Sequence, residues 1–308
     1  MSEPTLRDPT LRDPPFRDVG LLDSELLRRF PLPDPPEEAD KDDRGVALFI
    51  AGSRELSGAA LLAGVGALRA GAGKLRIATA DCIALGIGIA IPEARVIAFA
   101  EGEEGCIDAG EIAGLLEECE DVDSLTIGPG MKHGPALAEL IDTVIERGGS
   151  YPLVLDAAAL GVLPPLAARL AAAPAGAILL PHAGEMARLL ECERDEVSAD
   201  PLAAAREAAS RYGAVAVIKG HWSFIAAPDG RSFRFRGGGV GLATSGSGDT
   251  LAGIVGGLAA RGADPLTAAL WGVYLHGEAG RLLTRKVGKI GFLAREILDL
   301  VPRLMERG

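Results

Sequence analysis

The chain has 308 residues, of which 48% are hydrophobic and only 4% aromatic, with 41 glycines, a balance that suits helices packed closely on a sheet by small side chains. Its formal net charge of -12 sets most of the surface against phosphate backbones and anionic lipid, which argues against nucleic acid and membranes as partners. The four cysteines and four histidines show no zinc-type spacing, no disulfide framework is expected, and the acidic, proline-rich start is no secretory signal, so the cytoplasm is the expected compartment.

Residues 1–44 read as an arm. Pro4-Thr5-Leu6-Arg7-Asp8 recurs as Pro9-Thr10-Leu11-Arg12-Asp13, and the stretch from Pro31 to Asp43 is proline-rich and acidic, with room for a short amphipathic helix between Ser24 and Phe30. From Gly45 the pattern changes. Val46 to Gly52 reads as a buried strand, about Gly58 to Ala70 as a helix, and Lys74 to Thr79 as the next strand, which together make a βαβ unit. Further strands are predicted at Ala94–Phe99, Ser124–Ile127, Leu153–Leu155, Ala177–Leu180 and Ala214–Ile218, with helices between them. Ser223–Ala226 and Ser232–Arg236, joined by Pro228-Asp229-Gly230-Arg231, predict a hairpin. The expected fold is a three-layer α/β/α sandwich with a mostly parallel central sheet, built by 45–308 as a single domain, with ligands at the carboxyl ends of the strands.

The strongest local signal is Thr244-Ser245-Gly246-Ser247-Gly248-Asp249, which opens an apolar helix. Gly246 and Gly248 let the backbone approach a ligand, and the N–H groups of the first helical turn favour an anion. A carboxylate repels phosphate, so Asp249 makes sense there as a base that takes a proton from an attacking hydroxyl, and its ordinary alternative is a helix cap. Gly71-Ala72-Gly73-Lys74 is followed by Leu75 and is no P-loop, and no dinucleotide-type glycine fingerprint follows a strand. Three further features end strands: Ile127-Gly128-Pro129-Gly130, Pro181-His182-Ala183-Gly184-Glu185 and Val217-Ile218-Lys219-Gly220. Glu185 suits capping as well as a site role, and Asp156 is a strand-end acid open to substrate or metal.

Taken in order, these pieces resemble the ADP- or ATP-dependent NAD(P)H-hydrate dehydratases, a branch of the ribokinase-like superfamily, over roughly residues 45–304. The similarity runs through 51–63, 67–75, 127–130, 155–160, 180–185, 217–220, 245–253 and 273–277. It implies that hydrated NADH or NADPH (the S form of NADHX or NADPHX) is phosphorylated on its ring hydroxyl by ADP or ATP and then loses phosphate to regain the double bond. It implies further that Asp249 is the base and that Ala59, Gly130, His182 and Asp249 touch the hydrated dinucleotide. Lys219, Gly220, His221, Trp222 and Ser223, with Gly246, Ser247 and Gly248, are implied to hold the phosphoryl donor. Mg2+ is expected to arrive with the nucleotide, with no protein metal cage. The resemblance also implies a homo-oligomer, a tetramer, and a separate epimerase partner, since 1–44 cannot form the epimerase domain often fused to this family. The chain departs from the family pattern at Asp40-Lys41-Asp42, Ala158, Ala183, Met131-Lys132-His133 and Gly238-Gly239-Val240, and none of these positions is the base or the anion site. Two other readings remain open at this stage: a kinase of a small alcohol such as a vitamin precursor or sugar, and a non-catalytic nucleotide-binding protein.

Overall fold

The computed structural model describes residues 18–36, 38, 40–102 and 105–306. The five-residue repeat at 4–13 lies outside the described residues. Among the described residues the sheet has ten strands: β1 (Gly20–Leu21), β2 (Val46–Ile50), β3 (Lys74–Ala80), β4 (Ala94–Phe99), β5 (Ser124–Ile127), β6 (Leu153–Leu155), β7 (Ala177–Leu179), β8 (Val215–Ile218), β9 (Trp222–Ala226) and β10 (Ser232–Arg236). Their order is β1-β10-β9-β8-β7-β6-β5-β2-β3-β4. Every neighbouring pair from β8 to β4 is parallel, whereas β9 runs antiparallel to both β8 and β10. The apolar runs seen in the sequence fall on these strands, and the predicted hairpin is β9 and β10.

Both faces of the sheet are covered, which is why its central strands read as continuous apolar runs. Along β2 the side chains alternate between two cores: Val46, Leu48 and Ile50 join one, Ala47 and Phe49 the other. The first core is closed by helices Ile112–Glu118, Pro135–Arg147, Ala183–Leu190 and Pro201–Tyr212. The opposite face is covered by helices Ser57–Arg69, Ser247–Ala260 and Pro265–Lys286. A three-layer α/β/α sandwich with a mostly parallel sheet results, as the sequence predicts.

Ser57–Arg69 and Ser247–Ala260 approach more closely than side chains normally allow. A Cβ on Gly253 would stand 2.1 Å from the Ala63 carbonyl oxygen, and one on Gly257 would stand 2.5 Å from that of Ala67. No side chain fits there, so the two backbones lie against one another as one rigid unit.

The composition break at Gly45 is not a packing break. Gly20–Leu21 pair in parallel with β10, and Ser24–Leu27 form a one-turn helix capped by Asp23, whose carboxylate accepts from the Leu26 N–H at 2.8 Å. Leu22 and Leu27 are buried in the second core, and the Trp271 indole N–H donates to the Phe30 carbonyl at 2.7 Å. This stretch contributes an edge strand and two core leucines, which a proline-rich composition does not announce. Among the described residues, no helix is long and apolar enough to cross a membrane.

Candidate active site

The carboxyl ends of β2, β5, β6, β7 and β8 and the start of helix Ser247–Ala260 form one face. Gly246 caps that helix with φ +84, in the left-handed region, and a Cβ there would meet Leu62 Cδ1 at 2.4 Å, so both its conformation and its surroundings require glycine. Gly248 is different. It lies inside the helix, and a Cβ there would meet nothing closer than the Lys219 ammonium nitrogen at 3.5 Å and Asp156 Oδ2 at 3.9 Å. The bare backbone at Gly248 therefore leaves space on the ligand side and is not needed for folding.

Asp249 follows in the first turn, its pKa pushed up to about 6 by burial and by the nearby negative charge of Asp156, with Lys219 opposing. A carboxyl in that range is ionised at neutral pH yet holds a proton better than an ordinary aspartate, as a general base should. Lys219, at the end of β8, donates from Nζ to Asp156 Oδ1 at 2.8 Å. Burial works to lower the lysine's pKa, but the carboxylates of Asp156, Glu185 and Asp249 outweigh it and raise the pKa, so the ammonium stays charged. Asp156 is only 2% exposed. The sequence leaves it open as an acid for substrate or metal, and in the fold it is the partner of Lys219.

His182 caps helix Ala183–Leu190. Its Nδ1 accepts from the Gly184 and Glu185 N–H groups at 3.0 and 3.3 Å, while Glu185 accepts from the His182 N–H at 2.8 Å. The pair is a capping box in which histidine takes the usual serine's place, and an accepting Nδ1 puts the ring proton on Nε2. The imidazole remains exposed over the strand ends, so capping and contact with a ligand are compatible.

A cavity of about 600 Å³ opens beside these groups. His182, Lys219, Gly220, His221, Ser223, Ser247 and Gly248 contribute its polar wall, and Phe235, Leu242, Leu251 and Val273 an apolar one. Trp222 is not part of that lining. Strand alternation turns its ring to the other face, under the Arg234 and Arg236 guanidinium groups at 5.4 and 5.6 Å. Ala59 and Gly130 lie outside the cavity and against one another, since a Cβ on Gly130 would stand 2.6 Å from that of Ala59. The predicted site residues thus separate into a cavity side and a β2/β5 side, with Asp249, Asp156 and Lys219 between.

A polar lining residue that was not singled out from the sequence as a site residue is His276. His276, on helix Pro265–Lys286, places Nε2 3.0 Å from both the Ser247 hydroxyl and the Ser247 carbonyl oxygen. Burial lowers its pKa to about 4, so the ring is neutral, and a carbonyl only accepts, so Nε2 carries the proton. His276 thereby ties down the residue that opens helix Ser247–Ala260. The motif around it was visible, but its partner is 29 residues away.

Two other features are set apart by their position. A hollow of about 690 Å³ lies at the amino ends of β5 and β6 and is lined by Glu120, Asp121 and Asp123, which disfavour a nucleotide. Among the described residues, Asp81, Cys82 and Glu101 bring metal-type atoms within 4.8 Å of one another, but at the ends of β3 and β4, several strands from Lys219, with Glu101 bonded to Arg54 at 2.5 Å. The Asp40–Asp42 departure also sits at the amino end, where Asp42 pairs with Lys74.

Residues 47–303 match a family described as NAD(P)H-hydrate dehydratase. An ADP-dependent (S)-NAD(P)H-hydrate dehydratase of Xanthomonas campestris pv. campestris is 46% identical over 283 residues, covering 91% of this chain and 94% of its own. The crystal structure of the ADP/ATP-dependent NAD(P)H-hydrate dehydratase of Bacillus subtilis, co-crystallised with ATP and Mg2+, superposes with a TM-score of 0.78 at 32% identity, covering 94% of this chain and 99% of that one. A ribokinase-like superfamily protein of Enterococcus faecalis V583 superposes at 0.80 and 25% identity, covering 95% and 97%.

Proposed function

The chain belongs to the NAD(P)H-hydrate dehydratase family, and from that premise we propose that it returns the S form of hydrated NADH or NADPH to NADH or NADPH at the expense of ADP or ATP. The observation that carries the reading is the convergence of a buried base, an anchored ammonium and a helix N-terminus beside one nucleotide-sized cavity.

The chemistry follows from what has to leave. Hydroxide departs poorly from carbon and phosphate departs well. Asp249 takes the proton from the ring C6 hydroxyl, and the oxygen attacks the terminal phosphoryl group of the donor, releasing AMP from ADP. The N–H groups from Gly246 to Gly248 and the Lys219 ammonium face the charge that develops on the phosphoryl oxygens. The C6–O bond then breaks with its electron pair on phosphate, pushed by the ring nitrogen lone pair, and loss of the C5 proton to base restores the double bond. Ala59 and Gly130 hold the hydrated dinucleotide on one side of Asp249, and His182, at the wall of the donor cavity, reaches it from the shared edge. Lys219, Gly220, His221 and Ser223, with Ser247 and Gly248, hold the donor on the other, where Phe235 and Leu242 offer an apolar wall to its adenine.

The side chains at the centre fit a magnesium ion that arrives with the donor. The charges of Asp156, Glu185 and Asp249 act on the Lys219 ammonium, and a magnesium ion brought by the donor would take its ligands chiefly from phosphate oxygens and water. When bound, it neutralises phosphate charge.

Residues 45–308 carry the catalytic groups in this proposal, with the 20–30 stretch packed onto them, and the compartment is the cytoplasm. An enzyme selective for one epimer leaves the other unrepaired, so a separate epimerase belongs to the same reading, as does assembly into a homo-oligomer, a tetramer. The test is recovery of reduced-nicotinamide absorbance from hydrated NADH or NADPH with magnesium and either ADP or ATP. Donor-dependent recovery with phosphate release is expected. A stable phosphorylated product would instead favour a small-alcohol kinase, and folded, nucleotide-binding protein without turnover would favour a non-catalytic relative.

A further inference from the structure

Asp156 is held in place from several directions. Its backbone N–H donates to the Ile127 carbonyl at 3.2 Å, and a Cβ on Gly128 would stand 1.8 Å from its own carbonyl oxygen. The residue after it, Ala157, has φ +50, a left-handed conformation that is unfavourable for a non-glycine residue. The carboxylate is thus immobilised at the end of β6, with Oδ1 on the Lys219 ammonium and Oδ2 3.9 Å from the position a Gly248 Cβ would occupy. The ammonium is 3.5 Å from that same position. A buried ion pair and the first turn of the anion-binding helix therefore meet at one point.

We propose that Asp156 is a positioning residue for phosphoryl transfer that acts through Lys219, fixing the ammonium against the Gly248 backbone so that the cation and the helix N–H groups face the same anion. The proposal deepens the dehydratase reading and rests on it for the identity of that anion. A lysine stem is long and flexible, and ordering it at each encounter would cost rotamer entropy. Without Asp156, the ammonium is left to Glu185 and Asp249. Pairing with Asp249 would engage the base and reduce its hold on a proton.

Asp156 also acts on Asp249 through charge. The groups that face Asp249 are Asp156 and Lys219, with Glu185 beyond the lysine and neutral His276 behind Ser247. Burial and Asp156 raise the Asp249 pKa while Lys219 lowers it. Removing the Asp156 charge therefore shifts the base toward weaker proton affinity, both directly and by freeing the lysine.

The test is a double-mutant cycle on ADP binding, read calorimetrically at pH 8 with thermal melts as the control for folding. Asp156→Asn keeps the shape and Lys219→Met keeps most of the stem. Asp156→Asn is expected to weaken ADP by about tenfold or more, the scale of a hydrogen bond to a charged group. In the Lys219→Met background the same change is expected to cost less than about twofold, because its target is gone. An equal cost in both backgrounds, or wild-type affinity in Asp156→Asn, overturns the proposal. If Asp156→Asn does not fold, Asp156→Glu, which keeps the charge but moves it by one methylene, runs through the same cycle with the same expectations. In turnover, the acid limb of the pH–rate profile is expected to move to lower pH in Asp156→Asn, and an unmoved limb removes the electrostatic part of the argument. Calorimetry scores donor binding alone, so this proposal and the dehydratase reading can fail separately.

Discussion

Asp249→Asn should make the protein more stable while abolishing turnover. A carboxyl whose pKa is about 6 in the fold and 3.8 when free resists its own ionisation by about 3 kcal/mol. At pH 8 the wild-type carboxylate is ionised and bears that full cost, while asparagine, of nearly the same shape, bears none. A raised carboxyl favours the folded state where it is protonated, so the wild type regains the deficit as pH falls through 6. By pH 4.5 the advantage of asparagine should shrink to about 1 kcal/mol. At about 2 °C per kcal/mol for a chain of this size, the melting temperature of Asp249→Asn should exceed that of the wild type by up to about 6 °C at pH 8. The assay is a pair of melts across pH 4.5 to 8, where any fixed effect of the amide appears as a constant offset and the ionisation cost as a slope. A difference that stays flat with pH would show that Asp249 carries no such burden, and the account of it as a poised base would fall.

In catalysis the same group should give kcat/KM an acid limb with an apparent pKa near 6, losing about tenfold per pH unit below it, and a limb near 4 would contradict the burial argument. Gly246→Ala and Gly248→Ala should separate structure from binding. The first meets Leu62 at 2.4 Å with a left-handed φ and should cost about 1–3 kcal/mol in a denaturant titration, whereas the second should melt like the wild type but bind ADP more weakly. Equal effects on stability would refute the distinction. Leu27→Ala should destabilise by about 2–5 kcal/mol, as expected for a fully buried leucine, while leaving kcat at low temperature unchanged. An unchanged melting temperature would return this stretch to the status of a loose arm.

The strands were legible because a sheet covered on both faces forces uninterrupted apolar runs, and the glycine-rich turns were legible because each borders an apolar strand or helix. Gly246 could be read before its φ was known, since no other residue type opens a helix so tightly against a neighbour. β1 could not. Two residues show no periodicity, and their pairing with β10 exists only once the hairpin is in place. At the site, sequence placed Lys219 and Asp156 at the ends of different strands but gave no sign that they meet across 63 residues, because parallel register and strand order decide that. Glu185 was balanced between capping and a site role, and the fold shows the cap in full, with His182 as its other half. Trp222 illustrates the converse: adjacent to two lining residues in sequence, its side chain lies on the other face because a strand alternates.

The glycine-lined contact between Ser57–Arg69 and Ser247–Ala260 also bears on how this enzyme could be re-engineered. One helix carries Ala59 near its start and the other carries Asp249, and their backbones are locked together by Gly253 and Gly257. Swapping these glycines for better helix formers, a routine route to thermostability, would here wedge the helices apart and shift Asp249 away from Ala59. A library aimed at new alcohols or new donors should therefore leave this interface untouched and vary the loops at the strand ends. Acceptance of a substrate can be retuned there while the relative placement of the two helices is inherited unchanged.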